Sequence, residues 1–379
     1  MVAAQGGEAV SSKVRVAIGL MSGTSLDGVD AAILETDGLN IVTPGKSLSV
    51  AYTAEERQLF RLALDHAREW AQGAPVPEAV AEAERHITFA HIRAVKALLA
   101  EAGLAAGEVD IVGFHGQTVL HRPEDRRTVQ IGLGDVLASM LGIDVISDFR
   151  SADVAAGGQG APFAPLYHAA RVAASGQIGP VAVLNIGGVG NVTFIDGEEI
   201  VAFDTGPGNA LIDDWALTHL GEPLDRDGHL AAAGDVRPEI LSALMDHAYF
   251  AAPPPKSLDR LSFMAPDVAP LSPADGAATL TAFTAMSVAR AVEHLPAEPE
   301  TWIVCGGGRH NPTLLSRLQE ALPGVVRRAE DLGWRGDDIE AEAFAYLAVR
   351  SLDGRPLSLP STTGVPEPMT GGRLHKGRR

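Results

Sequence analysis

Short apolar runs separated by glycine-rich polar turns recur along the chain. Residues 14–20 and 29–34 are apolar, and the segment between them holds two glycines, several hydroxyl side chains and a carboxylate. This pattern predicts a strand, a tight polar turn and a second strand, followed by an extended segment over 40–51. Gly23 and Gly28 can adopt positive φ, which lets backbone N–H groups converge on one point. The turn therefore suits a phosphate group, although an ordinary hairpin loop has the same composition.

The same design returns later in the chain. Residues 181–186 form an apolar run, 187–191 form a glycine turn, and 192–195 and 200–203 read as the next two strands. A second copy of strand, polar turn and strand suggests a duplicated domain with one phosphate turn in each half. Two facing turns could hold the two ends of a polyphosphate in the cleft between the halves.

Helical periodicity fills the intervals between these strands. Apolar residues at helical spacing predict helices over 54–72, 77–102, 132–141, 165–174, 210–219, 277–295, 312–322 and 340–351. Further buried strands are predicted at 109–114, 143–146 and 302–305. The alternation of strands and helices indicates an α/β fold, and residues 1–12 and 371–379 read as disordered tails.

Composition narrows the class of protein. The chain of 379 residues carries 48 acidic against 30 basic side chains, a net charge of −18. This acidity argues against partners such as nucleic acid or an anionic membrane surface. No apolar run approaches the length of a membrane span, and the N-terminal segment lacks the features of a signal peptide. Cys305 is the single cysteine, which excludes a disulfide within the chain, so we expect a soluble cytoplasmic protein.

Polar side chains follow several of the predicted strands. His115 and Gln117 come directly after a buried strand, where α/β sheets usually place ligands. The alternative for His115 is a strand-end histidine bonded to a loop carbonyl. Arg150 could bind a carboxylate or phosphate through two N–H groups, or form a surface ion pair with Asp148 or Asp153.

Asp204 ends the third strand of the second half, and Gly206 and Gly208 free the backbone beside it. A carboxylate at a cleft, without a neighbouring lysine or arginine in sequence, suits a general base better than a structural ion pair. A turn or helix-capping carboxylate is the alternative. A third glycine turn at 306–308 lies between a strand and a helix, where a phosphorylated ligand can approach the backbone. Together these features indicate nucleotide and metal binding and phosphoryl transfer, without a P-loop sequence.

Six sequence blocks, taken together, resemble the anhydro-N-acetylmuramic acid kinases. They are MSGTSLDG (21–28), HGQT (115–118), GGQGAP (157–162), NIGG (185–188), FDTGPGN (203–209) and CGGG (305–308), in the order of that family. The resemblance implies an actin/hexokinase-like fold, in which two duplicated ribonuclease H-like domains close over ATP. The first domain would comprise 13–146 with about 345–379, and the second 147–344. A homodimer that acts in peptidoglycan recycling in a bacterial cytoplasm is also implied.

The reaction implied by this resemblance opens the 1,6-anhydro ring of 1,6-anhydro-N-acetylmuramic acid and phosphorylates O6, giving N-acetylmuramic acid 6-phosphate and ADP. By similarity, Asp204 would be the base for the attacking water, and Asp27 would help to place Mg²⁺. The implied sugar contacts are His115, Gln117, Arg150, Asp153 and Glu342. The implied ATP contacts are Ser22, Gly23, Thr24, Ser25, Leu26, Asp27, Gly28, Val29, Gly187, Gly188, Asn191, Gly206, Gly208, Asn209, Gly306, Gly307 and Gly308.

Two other functions fit parts of this pattern. A kinase of the same fold that phosphorylates a free sugar hydroxyl would also need a base carboxylate. A chaperone- or filament-type ATPase would need a peptide-binding extension or a polymer interface, and no extra domain is evident in the sequence.

Overall fold

The computed structural model describes residues 13–23, 25–258 and 263–378. The predicted tail at 1–12, the candidate ATP contact Thr24 and the terminal Arg379 lie outside the described residues. The strands are β1 (Arg15–Ser22), β2 (Gly28–Thr36), β3 (Val42–Ala51), β4 (Ile111–Arg122), β5 (Arg127–Ile131), β6 (Val145–Ser147), β7 (Val181–Ile186), β8 (Val189–Asp196), β9 (Glu199–Pro207), β10 (Thr301–Cys305), β11 (Val325–Arg328) and β12 (Arg373–His375).

These strands form two sheets, and the two sheets share the same arrangement of strands. The first sheet has the order β12-β6-β4-β1-β2-β3, with β5 paired to β4, and the second has the order β11-β10-β7-β8-β9. In each sheet, three antiparallel strands that follow one another in sequence are continued by parallel strands. The predicted duplication is therefore confirmed, and the fold is the two-domain α/β architecture of the actin/hexokinase class.

The helices cover both sheets and close the space between them. They are α1 (Ala54–Arg68), α2 (Glu78–Ala102), α3 (Gly134–Leu141), α4 (Ser151–Ala155), α5 (Pro165–Ala174), α6 (Ala210–Leu220), α7 (His229–Ala232), α8 (Pro238–Met245), α9 (Ala248–Ala251), α10 (Pro273–Ala291), α11 (Pro312–Ala321), α12 (Ile339–Leu352) and α13 (Pro360–Thr363). Sequence signals mark several of their ends. Thr53 and Glu56 form a capping box at the start of α1, and Gly103 ends α2 with a φ of 70°. In the described part of the chain, no helix has the length and apolar character that crossing a membrane requires.

Helix α12 follows the second sheet in sequence but packs on the first. One apolar cluster joins side chains of β1 and β4 to side chains of β7 and β10 through this helix and α5. Gly19 and Gly113 permit the approach, because a Cβ atom at Gly19 would lie 1.7 Å from the Ala341 carbonyl oxygen, and one at Gly113 would lie 2.1 Å from that of Phe344. The contact between backbone and backbone leaves no room for a side chain at either glycine.

Several predicted boundaries are wrong, and two of them affect the site. Strand β4 does not stop at Phe114 but continues to Arg122, because a bulge at Gly116 lets it bend and pair with β5. His115 and Gln117 therefore lie within a strand rather than after one. Likewise Asp204 lies inside β9, which extends to Pro207.

The expectation of a disordered C-terminal tail at 371–379 is also wrong for the residues described. Strand β12 pairs antiparallel with β6, with Leu374 opposite Ile146. Lys376 adds an ion pair to Asp144 at 2.8 Å. The pairing satisfies backbone groups of a strand whose partner lies more than two hundred residues away in sequence.

We predict that Gly19→Ala destabilises the protein by about 1–3 kcal/mol or more, since the added methyl group overlaps the backbone of α12. Gly107→Ala is the matched control, because a Cβ atom there meets no atom within 4 Å. Thermal unfolding followed by circular dichroism would measure both. Equal unfolding temperatures for the two variants would contradict the proposed close packing.

Candidate functional site

A cavity of about 150 Å³ lies between the two sheets. The second sheet contributes Asp204, Asn185 and Asn191 to its lining. Arg150 and Glu340 line it from the side of the first sheet. His168 also lines the cavity, and apolar side chains form most of the remaining wall, among them Met21, Phe163, Ile339, Ala343 and Phe344. Carboxylates, amides and one guanidinium thus meet in a cavity whose remaining lining is mostly apolar.

Asp204 is held firmly in this cavity. Its Oδ2 accepts a hydrogen bond from the Leu258 N–H at 2.7 Å, and its own N–H donates to the Lys256 carbonyl at 3.0 Å. The Tyr249 hydroxyl donates to the Asp204 carbonyl oxygen at 2.6 Å. Burial raises the pKa of Asp204 to about 7, and the Leu258 N–H offsets only part of that effect. A carboxylate that gains and loses a proton near neutrality is suited to general base catalysis.

Arg150 is the cation of the cavity. Its Nε donates to His115 Nε2 at 2.9 Å, and its Nη1 donates to the Gly160 carbonyl at 2.5 Å. The guanidinium lies over the rings of Phe163 and Phe344, with centroid distances of 5.3 and 6.0 Å. Burial lowers the pKa of Arg150 to about 10, so the side chain stays charged at neutral pH.

His115 supports Arg150 from outside the cavity. The ring is 4 % exposed, and its Nδ1 lies 2.8 Å from the Gly116 carbonyl, so Nδ1 carries the proton and Nε2 accepts from Arg150. Burial, and then the charge of Arg150, hold the pKa of His115 well below its ordinary value. A neutral histidine with both nitrogens engaged positions the arginine, and it lies away from the cleft lining. The alternative considered for this residue, a strand-end histidine bonded to a loop carbonyl, does not describe it, because both His115 and Gly116 lie within β4.

In the first glycine turn, the hydroxyl group of Ser22 is buried and does not face solvent. Ser22 is 1 % exposed, and its hydroxyl donates to Gln117 Oε1 at 2.5 Å and lies 2.7 Å from the Tyr52 hydroxyl. The Ser22 hydroxyl and the Gln117 side-chain carbonyl are therefore bonded to each other inside the protein. Leu26 has a φ of 58° and donates to the Gly23 carbonyl at 3.2 Å, which closes a tight turn. The Asp27 side chain is exposed beside this turn, as is Ser25, and Gly28 and Val29 begin β2.

The three glycine segments of the second half pack against one another. The N–H groups of Gly208 and Asn209 donate to the carbonyls of Gly188 and Gly187 at 3.0 and 2.7 Å. The glycine turn at 306–308 closes over the end of β7. A Cβ atom at Gly306 would lie 2.3 Å from Asn185 Oδ1, one at Gly308 would lie 2.6 Å from Ile186 Cγ2, and one at Gly206 would lie 2.8 Å from Ser287 Cβ. The predicted ATP contacts of this half, including Asn191 and Gly307, therefore lie in one region.

Asp153 and Glu342, both expected to contact sugar, lie away from the cavity lining. Asp153 is 1 % exposed and accepts hydrogen bonds from the Gly160 N–H at 2.7 Å, from the Thr363 hydroxyl at 2.6 Å and from the Ser358 hydroxyl. Its carboxylate holds the glycine loop at 157–160 against the C-terminal segment. Glu342 is equally buried, and its carboxylate is bonded to the Tyr167 hydroxyl and to Arg335 Nη2.

Glu340 takes the place in the cavity that was predicted for Glu342. Two residues along an α-helix correspond to a rotation of about 200°, so the two glutamates of α12 face opposite sides. Partial loss of hydration in the cavity raises the pKa of Glu340, whose side chain keeps exposed surface, and the charge of Arg150 opposes that rise. The only signal in the sequence was the apolar stripe of α12, which identifies its packed face but not the direction of the cleft.

A larger cavity of about 430 Å³ lies on the first sheet, between β5, α3 and β12. His115 lines it, together with His375 and Arg373. Neither Asp204 nor a glycine segment of the second half borders it. We therefore place the candidate site in the smaller cavity between the sheets.

Comparison with known proteins gives one consistent result. Residues 15–376 match the family model described as anhydro-N-acetylmuramic acid kinase. A protein of that name from Nitrobacter winogradskyi is 54 % identical over 358 residues, covering 94 % of this chain and 98 % of that one. Another from Rhizorhabdus wittichii is 54 % identical over 363 residues, covering 95 % and 99 %. The match includes the C-terminal strand β12, which the sequence blocks had left out.

Solved structures resemble this one more distantly. A glucokinase of the ROK family from Streptomyces griseus, solved with glucose and AMPPNP, aligns with a TM-score of 0.41 and 15 % identity over 88 % of this chain and 99 % of that one. Component A of (R)-2-hydroxyglutaryl-CoA dehydratase from Acidaminococcus fermentans aligns with a TM-score of 0.47 and 11 % identity over 89 % and 99 %. The strand order of the two sheets, rather than these alignments, carries the assignment of the fold.

We predict that Asp204→Asn stabilises the protein in a way that depends on pH. A carboxyl group whose pKa is raised by folding binds its proton more tightly in the folded state, so wild-type stability falls as pH rises from about 4 to about 7. Asparagine does not titrate and can still accept from the Leu258 N–H. The difference in unfolding temperature between the variant and the wild type should therefore grow between pH 4 and 7 and then level off. A difference that stays constant across this range would show that Asp204 keeps an ordinary pKa.

Proposed function

We propose that this chain, which belongs to the anhydro-N-acetylmuramic acid kinase family, uses Asp204 to activate water in the cleft between its two sheets. The protein is a kinase of cell-wall recycling. Its substrate is 1,6-anhydro-N-acetylmuramic acid, and its products are N-acetylmuramic acid 6-phosphate and ADP. The observation that carries the role of Asp204 is its place in the cavity with a pKa raised to about 7.

The chemistry needs a base at this point. Direct phosphorylation of the bridging ether oxygen would create an oxonium ion. Asp204 instead takes a proton from water as that water bonds to C1, the bond from C1 to the bridging oxygen breaks, and this oxygen receives the γ-phosphoryl group of ATP. A well-placed general base typically contributes about 10²- to 10⁴-fold in rate.

The backbone of both glycine-rich regions would hold the nucleotide. In the turn between β1 and β2, Leu26 adopts a φ of 58°, a conformation uncommon for a side chain larger than glycine. The packed glycine segments at 187–188, 206–209 and 306–308 would form the other wall of the nucleotide site. N–H groups that converge at a turn bind anions without adding a side-chain charge, and this role would fall mainly to the first turn, because the N–H groups of Gly208 and Asn209 already donate to carbonyls. This arrangement suits a protein with a net charge of −18.

Asp27 would help to hold Mg²⁺. Among the described residues, no three histidine, cysteine, aspartate or glutamate side chains are grouped as metal ligands would be. A single exposed carboxylate beside the phosphate turn fits Mg²⁺ nevertheless, because this ion commonly takes one or two protein carboxylates and completes its shell with water and phosphate oxygens. When bound, the ion would neutralise charge on the phosphates.

The sugar would lie against the side of the cavity formed by the first sheet. Arg150 would bind the lactyl carboxylate of the substrate, and Glu340 would accept hydrogen bonds from its polar groups. His115 would position Arg150, Gln117 would hold the buried side of the phosphate turn, and Asp153 would hold the loop at 157–160. The cytoplasmic location and the homodimer are proposals that rest on family membership.

We predict that Mg-ATP supports turnover of 1,6-anhydro-N-acetylmuramic acid but not of N-acetylmuramic acid, N-acetylglucosamine or glucose. A coupled assay of ADP release would compare the four sugars. Reaction in H₂¹⁸O should place the label at C1 of the product, since water is a reactant. Turnover of a free sugar alone, with no label at C1, would favour a kinase of a free hydroxyl and would overturn the ring-opening mechanism.

We predict that Asp204→Asn lowers kcat by at least about 10²-fold while ATP and sugar still bind. In the wild type, kcat/KM should rise with pH through an apparent pKa near 7, because the base works only when ionised. Asp153→Asn is the comparison, since that carboxylate is engaged in structural hydrogen bonds. Asp153→Asn should lower the unfolding temperature clearly, and it should change the turnover rate per folded enzyme much less than Asp204→Asn does. Near-normal turnover by Asp204→Asn together with an inactive, folded Asp153→Asn would transfer the role of base to Asp153.

A further inference from the structure

Arg309 is a buried arginine that no step of the proposed reaction uses. Its side chain is 3 % exposed, and it follows the glycine turn at 306–308 directly. Nη1 and Nη2 form a two-pronged pair with Asp337 at 2.7 and 2.6 Å, and Nε donates to Glu330 at 2.7 Å. Nη1 also donates to the Gly306 carbonyl at 2.8 Å. A planar guanidinium can make these bonds in several directions at once, which a lysine ammonium on a flexible stem does not reproduce.

One side of this network holds the candidate nucleotide site. Gly306 has a φ of 72° and lies against Asn185 and the carbonyl of Ile186. The hydrogen bond from Arg309 to the Gly306 carbonyl therefore acts on the turn whose backbone faces the proposed nucleotide. A displacement of that turn would be transmitted to the guanidinium.

The other side of the network leads to the sugar side of the cavity. Gly336 lines the cavity, its N–H donates to Glu330 at 3.2 Å, and a Cβ atom at Gly336 would lie 2.3 Å from Arg309 Nε. Asp337 comes one residue later, and α12 begins at Ile339. Glu340, in the first turn of that helix, lines the cavity with Arg150.

The first turn of α12 is also held to the first sheet. Arg335 pairs with Asp338 at 2.9 Å and with Glu342 at 2.7 Å. Asp338 in turn accepts a hydrogen bond from the Ser47 hydroxyl of β3. The segment 335–338 is therefore the place where the second sheet, the first sheet and α12 are joined by charged groups.

We propose that Arg309 is a positioning residue that couples nucleotide binding on the glycine turn at 306–308 to sugar binding at Glu340, through Asp337 and the segment 335–338. The inference rests on the proposed function, because it takes ATP and the anhydro sugar as the two ligands. Each ligand then binds more tightly when the other is present, and by linkage the two effects are equal. Coupling of this kind limits exposure of ATP to water in a cleft that holds no sugar.

The test compares Asp337→Asn with the wild type by isothermal titration calorimetry on the full chain. The Kd of 1,6-anhydro-N-acetylmuramic acid is measured with Mg²⁺, first without and then with a non-hydrolysable ATP analogue. The ratio of the two Kd values is the coupling factor. We expect about 5-fold or more in the wild type and a value approaching one in Asp337→Asn, with less change in the Kd of either ligand alone.

Two further variants sharpen the comparison. Arg309→Lys keeps the charge but loses the fork, so it should lose coupling as Asp337→Asn does. Asp337 is 65 % exposed at its side chain, which makes its amide variant the one more certain to fold. Glu320→Gln removes an exposed ion pair with Arg317 on α11 and should keep the coupling of the wild type.

The outcomes separate this inference from the proposed function. An Asp337→Asn protein with lower unfolding temperature but wild-type coupling would show a purely structural role and overturn the inference. So would a wild type that turns over the anhydro sugar with a coupling factor of one. A wild type that fails to turn over the anhydro sugar would instead overturn the proposed function, and the inference with it.

Discussion

The contact of helix α12 with the first sheet is the constraint on which the molecule depends. Gly19 and Gly113 bring the backbone of two central strands against the backbone of the helix. Through this helix, one apolar cluster continues from the first sheet to the second. The same helix turns Glu340 into the cleft and Glu342 away from it. The packing of the first sheet and one side of the candidate cavity thus depend on a single helix.

Within the cleft, burial does more than exclude water. It raises the pKa of Asp204 toward neutrality and lowers that of Arg150. Each of the two side chains also forms hydrogen bonds with uncharged groups. Asp204 receives a backbone N–H, whereas Arg150 donates to a neutral histidine and a carbonyl. None of these hydrogen-bond partners carries a charge, so none neutralises Asp204 or Arg150. Asp204 and Arg150 can therefore still act in the roles proposed for them, as the base and as the cation that binds the substrate carboxylate.

Most strands and helices could be predicted from short stretches of the sequence. The run at 181–186 and the helix at 165–174 were predicted with their observed bounds, since apolar period and proline position are properties of neighbouring residues. The glycine segments of the second half lie together, in agreement with what the family resemblance implied. What failed depended on distant partners. Strand β12 forms by pairing with the edge of β6 that β4 does not use. The choice between Glu340 and Glu342 depends on which side of α12 faces the second sheet.

The route of the chain through the two sheets bears on how the protein forms during its synthesis. The second sheet uses strands from one continuous stretch, Val181 to Arg328, and its pieces emerge from the ribosome together. The first sheet begins the chain, yet its covering helix and its edge strand are the last parts to be made. Its early strands therefore keep one apolar face uncovered until α12 has been made, and transiently exposed apolar surface of this kind favours aggregation. The first sheet therefore begins to form before the second sheet and is completed after it.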